Sequence, residues 1–233
     1  MSDKKALVVG ATGLVGTKLI ETLLKNESYS EIIVLARKPL EIEHEKLKVL
    51  KINFDHLEDE YPAEEVTDVF CCLGTTIKKA KSKDQMYKVD VEYPYQIATL
   101  AKKNGLSHFL LVSAMGANPK SNMFYTRIKG ELEDKLLSLN LPKLSVFRPS
   151  LLIADREEFR LGELIAVKLV KYTSWAFPLS IQAKMGIKPS VVAHAMNQSA
   201  LRDKEPLMIY ESRDMIQIDN IISHKELIKY KHN

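Results

Sequence analysis

The chain is 233 residues long, with 45% hydrophobic and 27% charged side chains and a formal net charge of +4. This is the balance of an ordinary globular protein, which excludes fibrous, disordered and disulfide-scaffold classes. The positive excess is too small to point to nucleic acid, and no nucleic-acid partner is expected.

Short β-branched runs alternate with helical patterns along the chain. Residues 6–9 predict a first strand, and Leu19, Ile20, Leu23 and Leu24 mark one face of the helix after it. Further strands are predicted at 32–35, 47–52, 68–73 and 108–112. They are mostly without strict alternation, and runs apolar on both faces suit a parallel sheet covered by helices on both sides. A helix is predicted over 91–103, with Pro94 in its first turn and Asn104-Gly105 as its stop. Another spans 124–139, with Ile128, Leu132 and Leu136 on one face, and leads to a strand at 144–147. An apolar helix near 161–171, a helix near 189–201 and a strand at 207–210 complete the pattern. The alternation implies an α/β fold with a doubly wound parallel sheet, whose ligands sit at the carboxyl ends of the strands. One domain is expected across residues 1–233, with about 150–205 contributing a small C-terminal substrate-covering region.

The only cysteines, Cys71 and Cys72, are adjacent in an apolar run, so a reduced, cytoplasmic setting is expected. Met-Ser-Asp-Lys-Lys leads straight into the first strand, and no signal peptide is expected. The apolar segment 161–179 is interrupted by Glu163, Lys168, Lys171 and Pro178 and fails as a membrane span. Its residues 161–177 gather Leu164, Ile165, Val167, Trp175 and Phe177, which reads as a substrate cover, a core helix, or a surface for a protein partner or self-association. The six histidines show no ligand spacing, and no metal site is expected.

The loop after the first strand is Gly10-Ala-Thr-Gly13-Leu-Val-Gly16 and opens directly into a helix. Strand, glycine triplet and helix together form the dinucleotide-binding fingerprint. Gly10 permits a tight turn, Gly13 lets the backbone approach a pyrophosphate, and Gly16 lets helix and strand pack closely. Gly10, Thr12, Gly13, Leu14, Val15 and Gly16 are the phosphate-side candidates, the helix N-terminus offering free N–H groups. A plain strand-to-helix turn is the alternative.

A site selective for NAD places an acid about 20 residues further on, against the ribose 2′-hydroxyl. Here that neighbourhood reads Leu35-Ala36-Arg37-Lys38-Pro39, with two cations and no carboxylate. Arg37 and Lys38 therefore favour NADP(H) over NAD(H), unless they are merely solvated loop charges. Asp55 after the third strand, and Leu73, Gly74 and Thr75 at the end of the fourth, are further cofactor candidates.

Ser113 ends the strand at 108–112, and Tyr125 and Lys129 follow four residues apart on one helix face. Nine tyrosines and 27 lysines give about one such pair by chance, so placement rather than spacing carries the weight. A lysine ammonium lowers a neighbouring phenol's pKa, which lets the phenol exchange a proton with a substrate oxygen. Ser113 would bond the same oxygen, and Lys129 would also hold the nicotinamide ribose. Arg148, at the end of the sixth strand, could meet a substrate carboxylate or phosphate, or form a structural ion pair with Asp155 or a neighbouring acid. Residues 78–83 hold four lysines and read either as a solvated loop or as a steering patch for an anionic ligand.

These stretches, with Cys72-Leu-Gly-Thr-Thr76, Lys88-Val-Asp90 and Val146-Phe-Arg-Pro-Ser150 followed by Asp155-Arg156, resemble the short-chain dehydrogenase/reductase superfamily. Within its extended-to-atypical branch the chain looks like the Tat-interacting-protein-like NADP(H)-binding oxidoreductases. The resemblance runs to about residue 160. It implies a Rossmann fold, an NADP(H) cofactor and the catalytic set Ser113, Tyr125 and Lys129, and names no substrate. The expected activity is interconversion of a carbonyl and an alcohol on a small molecule. A nucleotide-sugar epimerase or dehydratase, and an NADP(H)-sensing regulator without turnover, are the alternatives.

Overall fold

The computed structural model describes residues 4–153 and 186–230. Seven strands form one sheet: β1 (Lys4–Val9), β2 (Tyr29–Ala36), β3 (Leu47–Lys51), β4 (Asp68–Cys71), β5 (His108–Val112), β6 (Leu144–Arg148) and β7 (Leu207–Glu211). All pairings are parallel, in the order β3-β2-β1-β4-β5-β6-β7. The chain winds outward from β1 in one direction and then from β4 in the other, which is the doubly wound Rossmann-type arrangement.

The helices are α1 (Leu14–Leu24), α2 (Leu57–Glu60), α3 (Ile77–Ala80), α4 (Lys83–Tyr87), α5 (Tyr93–Lys103), α6 (Phe124–Ser138), α7 (Pro189–Arg202) and α8 (Ser212–Tyr230). A π-helical turn, Lys88–Glu92, precedes α5, so the predicted helix begins two residues later than expected and Pro94 falls in its first turn. Asn140, in the left-handed region at φ 48°, turns the chain away after α6.

Alternation along β1 divides the core. Leu7 and Val9 face a layer with Ile97, Ala98 and Ala101 of α5 and Ile128, Leu132 and Leu136 of α6. Ala6 and Val8 face the other layer, with Leu19, Ile20 and Leu23 of α1 and Val192, Ala193 and Met196 of α7. Each fully buried aliphatic side chain contributes about 1.5–3 kcal/mol, and these two layers leave little of the sheet wet.

The helix at 189–201 packs on the sheet beside α1 as core. The predicted helix near 161–171, the surface at 161–177 and Asp155 lie outside the described residues. Helix α8 follows β7 without a linking residue; Asp214 Oδ2 accepts the Glu211 N–H at 2.9 Å, and Ser212 Oγ accepts the Ser150 N–H at 2.7 Å. No helix among the described residues is long and apolar enough to cross a membrane.

Candidate active site

The carboxyl edge of the sheet gathers the candidate residues. Gly10 turns at φ +81°, where a Cβ would lie 2.4 Å from Cys72 O on the neighbouring chain segment after β4. A Cβ on Gly16 would lie 2.2 Å from Gly10 O, so α1 reaches the end of β1 only with a glycine there. The Gly13 N–H closes the turn onto Gly10 O at 3.0 Å. No side chain caps α1, and its first turn holds no acid, which leaves the amino end of the helix open to an anion. Thr12, Gly13 and Leu14 are exposed there, whereas the buried Val15 side chain packs inward and has only its backbone to offer. The cradle fits a dinucleotide pyrophosphate.

Beyond β2, Arg37 and Lys38 are both exposed. Asp55 sits past β3 and is already engaged: its carboxylate pairs with Lys88 Nζ at 2.8 Å and accepts the Tyr93 hydroxyl. Those two donors, Lys88 first, hold it below the usual carboxylate range. At the end of β4, Leu73 is half-buried and Gly74 exposed; a Cβ on Gly74 would lie 3.5 Å from Asp90 Oδ1 and 3.6 Å from Lys129 Nζ.

Helix α6 carries three polar residues at i, i+4 and i+8: Tyr125, Lys129 and Glu133. Tyr125, 42% exposed, lines a cleft of about 490 Å³ with Thr75, Thr76, Ile77, Lys83, Met86 and Phe124. One turn on, Lys129 is only 2% exposed and its Nζ lies 2.8 Å from Asp90 Oδ1. Asp90 Oδ2 accepts the Thr75 N–H at 2.8 Å and so ties the β4 loop to α6. Burial by itself would push the Lys129 ammonium down, but Asp90, with a smaller contribution from Tyr125, holds it above its ordinary value.

Ser113 and Arg148 converge on Glu133 instead of on the cleft. Ser113 is 4% exposed and donates its hydroxyl to the buried Glu133 carboxylate. Arg148 grips the same carboxylate through Nε at 3.2 Å and NH2 at 2.5 Å, and reaches Glu211 at 3.5 Å. Its guanidinium is thus occupied by acids of the chain. Asp90 and Glu133 were not singled out in the sequence as site residues. The i+8 spacing from Tyr125 could have pointed to Glu133; Asp90 lies in an irregular π-turn that no periodicity announces.

Both cysteines are unbridged, and burial pushes the Cys71 thiol up to about 12, so it is no nucleophile near neutrality.

Residues 10–143 match the NAD(P)H-binding family. The chain belongs to that family. The protein HTATIP2 of Rattus norvegicus is 38% identical over 172 residues, covering 72% of this chain and 71% of its own. FMP52-1, a mitochondrial protein of Scheffersomyces stipitis, is 28% identical over 224 residues, covering 91% and 97%. Together these relatives place the chain among the HTATIP2-like members of the NAD(P)H-binding family. Among solved structures, a UDP-N-acetylglucosamine 4-epimerase from Methanobrevibacter ruminantium M1 superposes with a TM-score of 0.65 at 14% identity, covering 91% of this chain and 77% of that one. At that identity the likeness extends to the fold alone. The expected cytoplasmic location does not stand, because the yeast relatives of this NAD(P)H-binding chain are named as mitochondrial proteins. Reduced cysteines do not distinguish the two compartments.

Proposed function

We propose that the protein is an NADP(H)-dependent oxidoreductase that interconverts a carbonyl and an alcohol on a small molecule. The observation that carries this reading is the exposed Tyr125 phenol standing one helical turn from the buried Lys129–Asp90 pair, at the sheet edge where α1 opens. Bound NADP(H) supplies the hydride to the carbonyl carbon, or accepts it in the reverse direction. Tyr125 gives its proton to the carbonyl oxygen as that oxygen gains charge, and takes it back when an alcohol is oxidised. The Lys129 ammonium, kept charged by Asp90, favours negative charge on the phenol oxygen and would hold the nicotinamide ribose. Gly10, Thr12, Gly13, Leu14, Val15 and Gly16 would cradle the pyrophosphate, Leu73, Gly74 and Thr75 would hold the nicotinamide half, and Asp55 the adenine half. Arg37 and Lys38, exposed and without an acid beside them in sequence, favour the 2′-phosphate of NADP(H).

A second reading, nucleotide binding without turnover, is favoured by one observation: the Ser113 proton is already given to Glu133, so it is not available to a substrate carbonyl. Titration of the protein with NADPH and NADH, followed by nicotinamide fluorescence, tests both. NADPH is expected to bind more tightly, Arg37→Glu to weaken it selectively, and carbonyl-dependent oxidation to disappear in Tyr125→Phe. Binding with no turnover across a carbonyl panel selects the second reading, and binding of neither nucleotide overturns both.

A further inference from the structure

The cleft beside Tyr125 has a composition of its own. Among the described residues, its walls apart from the phenol and two threonines are Ile77, Met86 and Phe124, and its one charge is Lys83. Ile77 is 51% exposed although three lysines follow within four residues, so it presents apolar surface where neighbouring positions present charge. Two capped short helices fix this wall. Thr76 Oγ1 accepts the Lys79 N–H at 3.3 Å at the start of α3, and Ser82 Oγ accepts the Gln85 N–H at 3.1 Å at the start of α4.

Lys83 is the first residue of α4, and its Nζ lies 5.5 Å from the centre of the Phe124 ring. No acid among the described residues pairs with it. Arg127 flanks the same ring at 5.7 Å, but it is taken up by Ser121 O at 3.1 Å and Glu131 at 3.8 Å. Among the described residues lining the cleft, the ammonium left for a ligand is therefore that of Lys83. A volume of about 490 Å³ suits a small molecule, since pockets for such ligands run from about 300 to 1,000 Å³.

From this juxtaposition we infer that the substrate is an apolar aldehyde or ketone bearing a carboxylate, its apolar body held by Ile77, Met86 and Phe124 and its carboxylate by Lys83. This rests on the oxidoreductase reading for the carbonyl group, while the carboxylate and the apolar body rest on the cleft alone. Cationic carbonyl compounds are disfavoured by the same ammonium.

The test compares para-carboxybenzaldehyde with its methyl ester on NADPH-loaded protein. The acid is expected to show kcat/KM about fivefold above the ester, the scale of a partly exposed ion pair, with the preference fading as salt is added. Lys83→Met keeps the stem against Phe124 and raises KM for the acid more than for the ester, narrowing the ratio between them. Ile77→Ser raises KM for both. Equal kcat/KM for acid and ester, or a preference that survives in Lys83→Met, overturns the carboxylate assignment while the oxidoreductase reading stands. An unchanged KM in Ile77→Ser overturns the apolar part. Where neither aldehyde is turned over, saturation-transfer NMR decides: binding of the acid that is lost in Lys83→Met supports the cleft assignment and counts against the oxidoreductase reading, and binding of neither aldehyde overturns the assignment.

Discussion

Lys129 Nζ and Asp90 Oδ1 stand 2.8 Å apart with both side chains buried, so the cation one helical turn from Tyr125 is itself held by an acid from a different element. Removing the acid leaves an uncompensated buried ammonium, whereas the pair itself contributes little net stability. Asp90→Ala is expected to destabilise the fold by about 3–5 kcal/mol. Asp90→Asn, which still accepts the Thr75 N–H, should cost less. Urea unfolding of the two variants checks the order, and equal losses would show that the charge rather than the Thr75 bond carries the effect.

The turn at the start of α1 makes a steric prediction. A methyl group at position 16 meets backbone, 2.2 Å from Gly10 O, and cannot be relieved by moving a side chain. Gly16→Ala is expected to cost about 3 kcal/mol and to abolish nucleotide binding, because α1 must retreat from β1. Gly116→Ala is the control: it has open space around its Cβ and a φ of +75°, so only backbone strain of about 1–2 kcal/mol is expected. Thermal unfolding with and without NADPH separates them.

Acid should weaken the fold through His108. Burial pushes this imidazole down to about 4, with Asp68 and Asp203 opposing and Lys143 and Lys4 assisting; Nε2 meets Ser145 Oγ at 2.8 Å. The ring is neutral in the fold but takes a proton near pH 6.5 once unfolded, so its stabilising effect is complete above about pH 6.5 and declines toward pH 4. About 2 kcal/mol is expected to be lost between pH 7 and pH 5. Urea titrations at those two values in the parent and in His108→Gln check this; an equal slope in both assigns the loss to other groups.

The sheet was legible because β1, β2, β4, β5 and β6 run largely apolar and buried, and because turns such as Gly10 and Asn104-Gly105 punctuate the crossovers. The sequence concealed α8, since β7 passes into that helix with no glycine, proline or loop between Glu211 and Ser212. The phosphate cradle could be read from three glycines, whose spacing is imposed by backbone clearance. The polar partners could not be read so directly. Asp90 reaches Lys129 from a π-turn, and Glu133 meets Ser113 and Arg148 from a separate helix, so these contacts exist only after the strands and helices have packed.

The bond from Ser113 to Glu133 divides the expected catalytic set. With its proton committed to a buried carboxylate, Ser113 acts on α6 rather than on a substrate oxygen, and Glu133 keeps its Arg148 fork when the hydroxyl is removed. Ser113→Ala is therefore expected to cost about 1 kcal/mol of stability, the worth of one hydrogen bond. Its kcat should stay within about tenfold of the parent, against a loss of about 10²-fold or more in Tyr125→Phe, the range of a lost general acid. Steady-state kinetics on the acid aldehyde measures both variants under the same conditions. Comparable losses in the two would place the Ser113 hydroxyl on the substrate oxygen, which requires Glu133 to release it during turnover.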